Sequence, residues 1–161
     1  KDVFNQCNFT LEVSRATLEI NAVIRNGHVT DRRRPIGIFC HKLRQQPDKF
    51  LRIIRALPKG AFFSVSKRMP KTGIKIMPGN EVWEEFFEMR LSEFTRQEDV
   101  EYLLEILKKA NRPPAMPGIH IRSSIPRGEK ILSDTVALKR RIIEVMSGFL
   151  PLLSFLEEGP S

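Results

Sequence analysis

Long apolar runs are missing from this chain. A membrane-spanning helix needs roughly 18 to 20 consecutive apolar residues, so no membrane association is expected. Cysteine is scarce too. With only Cys7 and Cys40 there is no disulfide framework, and a reducing, intracellular setting (cytoplasm or nucleus) is the expectation. The three histidines, His28, His41 and His120, are as scattered as the thiols. Zinc sites take ligands a few residues apart in two groups, so no metal site is read here. The adjacent Cys40 and His41 are read as a strand pair, Cys40 buried and His41 partly exposed.

Catalytic signatures are absent as well. There is no Gly-x-Ser-x-Gly elbow, no P-loop and no Gly-x-Gly-x-x-Gly turn, so no catalytic residue and no cofactor is assigned. Zinc-finger, helix-turn-helix and RNP signatures are likewise missing, as are fixed-period repeats and low-complexity tracts. The first residues do not resemble a secretory signal. The 161 residues read as one domain, 1–161, that could be a fragment of a larger protein, with a weak internal boundary near 112–117.

Acidic side chains nearly vanish from one part of the chain. Residues 25–77 carry 14 basic and 2 acidic side chains, whereas residues 78–107 carry 2 basic and 9 acidic ones. The net charge of +8 is therefore a basic half beside an acidic strip.

Hydrophobic periodicity supplies the architecture. Phe9, Leu11 and Val13 alternate with polar residues, and the alternation restarts in the opposite phase at Leu18, Ile20, Ala22 and Ile24, with a bend near Ser14-Arg15. Asn26-Gly27 predicts a type I′ hairpin returning over His28 to Arg33, followed by a strand from Ile36 to His41. Pro47 opens a helix whose Phe50, Leu51, Ile53, Ile54 and Leu57 share one arc. Phe63 and Val65, then Ile74 and Ile76, predict two strands. The stretch 80–94 reads as a strand from the alternation of Phe87, Met89 and Leu91. A capping box at Thr95–Glu98 opens a second helix ending at Asn111. A strand is expected from Ile119 to Ile125 and a last helix from Asp134 to Ser147, broken by Pro151, with an apolar tail folding back onto the core or docking on another chain. The fold class is α+β: an antiparallel sheet, rich in strands in its amino-terminal half, with about three helices packed on it.

The charge map points to function. Arg32-Arg33-Arg34 with Arg25, the helix residues Lys49, Arg52 and Arg55, and the loop residues Lys67, Arg68 and Lys71 could converge on one surface. Like charges so grouped repel one another, and a polyanion relieves that repulsion while releasing counterions. The expectation is a non-catalytic module that binds RNA or single-stranded DNA, mainly through phosphates. Phe62, Phe63 and Trp83 could stack bases, although aromatics at strand spacing usually belong to the core. One alternative is a protein-interaction domain whose basic face docks an acidic partner, with the apolar tail or acidic strip as a further contact. Another is a metal-dependent nuclease using the carboxylates of Glu81, Glu84, Glu85 and Glu88.

Overall fold

The two opposed alternations near the amino terminus become two strands of one hairpin in the computed structural model, which describes residues 7–25, 27–57, 60–73 and 80–157. Strand β1 (Cys7–Val13) pairs antiparallel with β2 (Thr17–Ile24). Ser14 makes the turn: its Oγ accepts from the amides of Ala16 at 3.1 Å and Thr17 at 2.9 Å. A hydroxyl that stands in for a backbone acceptor in this way favours a tight reversal.

Beyond β2 the structure departs from the expectation. Residues 28–34 form turns, and helix α1 (Pro35–Gln45) occupies the place of the predicted strand at Ile36 to His41. Gly27 has φ +102°, yet the chain does not return along β2, so Gly27 serves a loop rather than a β-hairpin. Asn26 lies outside the described residues. The short apolar run Ile36 to Cys40 suits either period. Packing selects the helix, because Ile36, Phe39, Cys40 and Leu43 then fall on one stripe and are all buried. Cys40 is thus buried in a helix, not a strand. Gly37 is required there: a Cβ would stand 2.0 Å from the carbonyl oxygen of Asp31.

Helix α2 (Pro47–Ala56) follows as expected. Strands β3 (Phe62–Pro70) and β4 (Glu81–Arg90) pair antiparallel, bearing out the strand reading over 81–90, whereas Leu91–Glu93 of the expected 80–94 strand form a 3-10 turn. Their register slips by one between Val65 and Ser66, which leaves Phe86 as the extra residue of a bulge. The strand expected at 74–76 lies outside the described residues. Helix α3 (Gln97–Ala110) starts where the sequence put it. Its cap, however, is Asp99, whose carboxylate accepts from the amides of Thr95 at 2.9 Å and Arg96 at 2.8 Å. Those two bonds hold the Asp99 carboxyl below its ordinary range.

Strand β5 (Met116–Pro126) leads to helix α4 (Thr135–Glu157), whose first turn is closed by Asp134 accepting from Val136 and Ala137 at 3.0 Å. The expected break at Pro151 does not occur. A proline in a helix interior costs about 3 kcal/mol. The turn beyond it buries Leu152, Phe155 and Leu156, each contributing about 1.5–3 kcal/mol, so burial wins and the helix continues. The described residues thus hold four α-helices, in keeping with the expected count of about three.

All strand pairs are antiparallel, in the order β1-β2-β5-β3-β4. One phase of the alternation turns towards the helices: Ile20, Ala22 and Ile24 of β2, Ile119, Ile121 and Ile125 of β5, Phe63 and Val65 of β3, all buried. Phe39, Phe50, Phe63, Phe94 and Phe155 form a chain of rings with centroids 5.6–6.4 Å apart. This aromatic chain ties α1, α2 and α4 to β3. The product is a two-layer α+β fold whose second sheet face carries mainly polar side chains.

Candidate functional site

Two groups of polar side chains stand out, one at an end of the sheet and one on its helix-free face. The first is basic. Ile24 of β2 lies level with Ile119 of β5, and Ile119 with Val65 of β3. Because β2 and β3 both run antiparallel to β5, they point the same way. Arg25, the turns at 28–34 and the distal part of β3 therefore gather at one end of the sheet.

The turns are braced from within. The amides of Asp31 and Arg34 donate to the carbonyls of His28 and Asp31 at 3.0 Å, and the Arg33 amide donates to Asp31 Oδ1 at 3.0 Å. His28 Nδ1 is 2.9 Å from Asn111 Oδ1, tying the loop to the end of α3. A Cβ on Gly27 would meet the Arg34 Cβ at 2.2 Å, so the absence of a side chain there permits the close approach. Arg32, Arg33 and Arg34 are all exposed. None of them has an ion-pair partner among the described residues. They lead into α1, whose first turn holds no acidic side chain, so the positive end of its dipole adds to theirs.

The remaining basic residues divide. Lys67, Arg68 and Lys71 share the Arg25 end of the sheet. Of these, Lys67 lies over the Phe86 ring at 4.1 Å, and Arg68 pairs with Glu81 and faces Trp83 at 5.4 Å. Lys71 is exposed. On α2, Lys49 is half-buried and Arg52 exposed. Arg55 donates to the Thr95 carbonyl at 2.6 Å, beside the junction where Leu91 bonds Ala61. That junction is at the start of β3, about 25 Å along the strand from Pro70. The expected convergence of all ten basic residues on one surface is therefore not what the fold delivers: strand direction separates Arg55 from the cluster at Arg25 and Arg32–Arg34. Among the aromatics, Phe63 is core, Phe62 is half-buried beneath Arg90, and Trp83 is 37 % exposed on the sheet.

The second group is not linked by any sequence pattern, although two of its members, Trp83 and Glu85, are named above as a base-stacking candidate and a nuclease carboxylate. Glu12, Glu19, Asn21, Ser64, Ser66, Trp83, Glu85, His120 and Arg122 line a shallow cavity of about 190 Å³ on the helix-free face. They occupy the polar phase of five strands, so no local spacing links them. Arg122 pairs with Glu85 at 3.0 Å and with Glu88. Burial alone would lower the Arg122 pKa, but these two carboxylates raise it above its ordinary value. Burial pushes the His120 imidazole below its ordinary value, with Glu12 opposing and Arg122 and Arg25 reinforcing the shift. Trp83 meets His120 edge to face, centroids 5.6 Å apart. The indole rests on Gly118, where a Cβ would come within 2.4 Å of it.

Comparison with protein-family models, curated proteins and solved structures finds no match. Chemistry on this face is limited by its pairing. Glu81, Glu85 and Glu88 each face an arginine, and Glu84 stands opposite Lys67 on the other phase of β4. Among the described residues no three His, Cys, Asp or Glu side chains group as metal ligands. The Cys40 thiol is pushed up to about 12 by burial and stays protonated near neutral pH. Among the described residues no helix is long and apolar enough to cross a membrane. The apolar carboxyl-terminal segment folds back onto the core, with Phe149, Leu152, Phe155 and Leu156 buried and Leu150 exposed.

Proposed function

We propose that the protein is a non-catalytic, intracellular nucleic-acid-binding module that grips phosphates of RNA or single-stranded DNA with the end of its sheet. The observation that carries this reading is the braced loop of three exposed consecutive arginines, none with a carboxylate partner among the described residues. Loop order matters energetically, because guanidinium groups already held near one another cost less entropy to bring onto a polyanion. Arg25 and Lys71 extend the same patch. The acidic helix-free face would repel phosphate, which confines the contact to this end. Few groups there read base edges, so binding is nearly independent of sequence.

The test is an anisotropy titration of labelled single-stranded RNA and DNA at two or more salt concentrations. Each phosphate contact on a single strand contributes about 0.7 to the slope of log affinity against log salt. Changing Arg32, Arg33 and Arg34 together to alanine should flatten that slope by about 2. Absence of wild-type binding at low salt, or an unchanged slope in the triple variant, would sink the proposal.

A further inference from the structure

Asn21 is 1 % exposed, and its Oδ1 has no hydrogen-bond partner. Such a buried, unanswered acceptor is costly in a folded protein and calls for an explanation. Asn21 lines the cavity on the helix-free sheet face. Around it the surroundings offer more acceptors than donors. Glu12 and Glu19 stand directly opposite each other on β1 and β2, an arrangement that like charges disfavour. Neither has an ion-pair partner among the described residues; Glu12 accepts only a long contact from Thr10 Oγ1 at 3.4 Å. The guanidinium that lines the same cavity, Arg122, is already held by Glu85 and Glu88. His120 adds no charge at neutral pH, since burial keeps it neutral.

From this imbalance we infer that the helix-free face holds a binding site for a small organic cation, an alkylammonium or guanidinium group, that donates to Asn21 Oδ1 and to the Glu12 and Glu19 carboxylates. One cation would satisfy the orphaned acceptor and relieve the repulsion of the cross-strand pair. The cavity's volume of about 190 Å³ suits a group of a few heavy atoms. Trp83 also lines the cavity, with the Arg68 guanidinium already over its ring at 5.4 Å. With no three-ligand metal group among the described residues, the donor set fits a hydrogen-bonding cation better than a coordinated ion. The cavity is distinct from the phosphate grip, but Arg25 of the grip is near enough to help hold the His120 pKa down.

The chemistry is shared by a free amine and by a lysine or arginine side chain of a partner, so the experiment includes both. Nuclear magnetic resonance titrations of the isotope-labelled protein would follow the Asn21 side-chain amide and the Trp83 indole. The probes are n-butylammonium, methylguanidinium and N-acetyl-lysine methylamide, with n-butanol and methylurea as neutral controls. Saturable shifts with at least one cation and none with its neutral counterpart are expected. Tighter binding of the simple amine would indicate a small-molecule ligand, and tighter binding of the lysine amide a partner's side chain; both support the site. Glu12→Gln, at an exposed position, should weaken binding about tenfold, the loss of one charge-assisted bond. Asn21→Leu should abolish it. Equal shifts from neutral and charged probes, retention of full affinity by Glu12→Gln, or the same shifts from Ca²⁺ alone would overturn the inference.

Discussion

Replacing Phe155 by alanine probes how the last turns of α4 are held. The ring is 1 % exposed. It lies 6.0 Å from the Phe50 ring, which in turn meets Phe39 and Phe94. Lys42 stands over it at 5.5 Å and donates to the Phe155 carbonyl. Truncation removes the ring from a site fixed by two other helices, so the surroundings cannot collapse to fill it. Large-to-small changes of this kind cost about 3–5 kcal/mol. In a chain of this length that corresponds to a Tm lower by roughly 6–20 °C. Leu150→Ala is the matched control, because Leu150 is 51 % exposed on the same helix and should cost under about 0.5 kcal/mol. Both are measured by urea unfolding with comparison of midpoints at constant m. A loss below about 1 kcal/mol for Phe155→Ala, equal to that of Leu150→Ala, would refute the packing of the segment beyond Pro151.

Gly37→Ala reverses the usual sign of a helix substitution. Alanine in a helix interior normally gains about 1 kcal/mol over glycine, but here the new Cβ would stand 2.0 Å from the Asp31 carbonyl oxygen, so a loss of about 1–3 kcal/mol is expected in thermal unfolding; any stabilisation would contradict the contact. His120 should make stability pH-dependent. Its folded-state pKa lies below the ordinary 6.5 because of burial, with Glu12 opposing and Arg122 and Arg25 adding to the shift. As pH falls below 6.5 the unfolded chain takes up a proton that the folded one resists, so stability declines towards acid. His120→Gln should remove that part of the slope, and an unchanged profile between the two proteins would count against the burial of the imidazole.

The division between sequence and tertiary structure follows from how far apart the cooperating residues lie. Local patterns were sufficient for β1, β2, α2, α3 and β5, because their apolar periods of two or 3.6 extend over enough residues to exclude the other period. The strand at Glu81–Arg90 was legible from Phe87, Met89 and Leu91 for the same reason, although its bulge at Phe86 was not. Two segments needed the fold. At Ile36 to Cys40 the apolar run was too short to choose a period, and the fit of Gly37 against Asp31 and of Phe39 against Phe50 and Phe63 made it helical. At Pro151 a local rule said stop, and burial of Leu152, Phe155 and Leu156 outweighed it.

The same distinction holds for the candidate sites. Arg32, Arg33 and Arg34 are consecutive, so their clustering was visible without a structure. Whether Arg55 joined them depended on strand direction, which composition does not encode. The acceptor-rich cavity was invisible because Glu12, Asn21, Ser64, Glu85 and His120 come from five strands spread over most of the chain. A sequence specifies each strand's polar phase by local alternation, whereas only strand order and register bring those phases to one place.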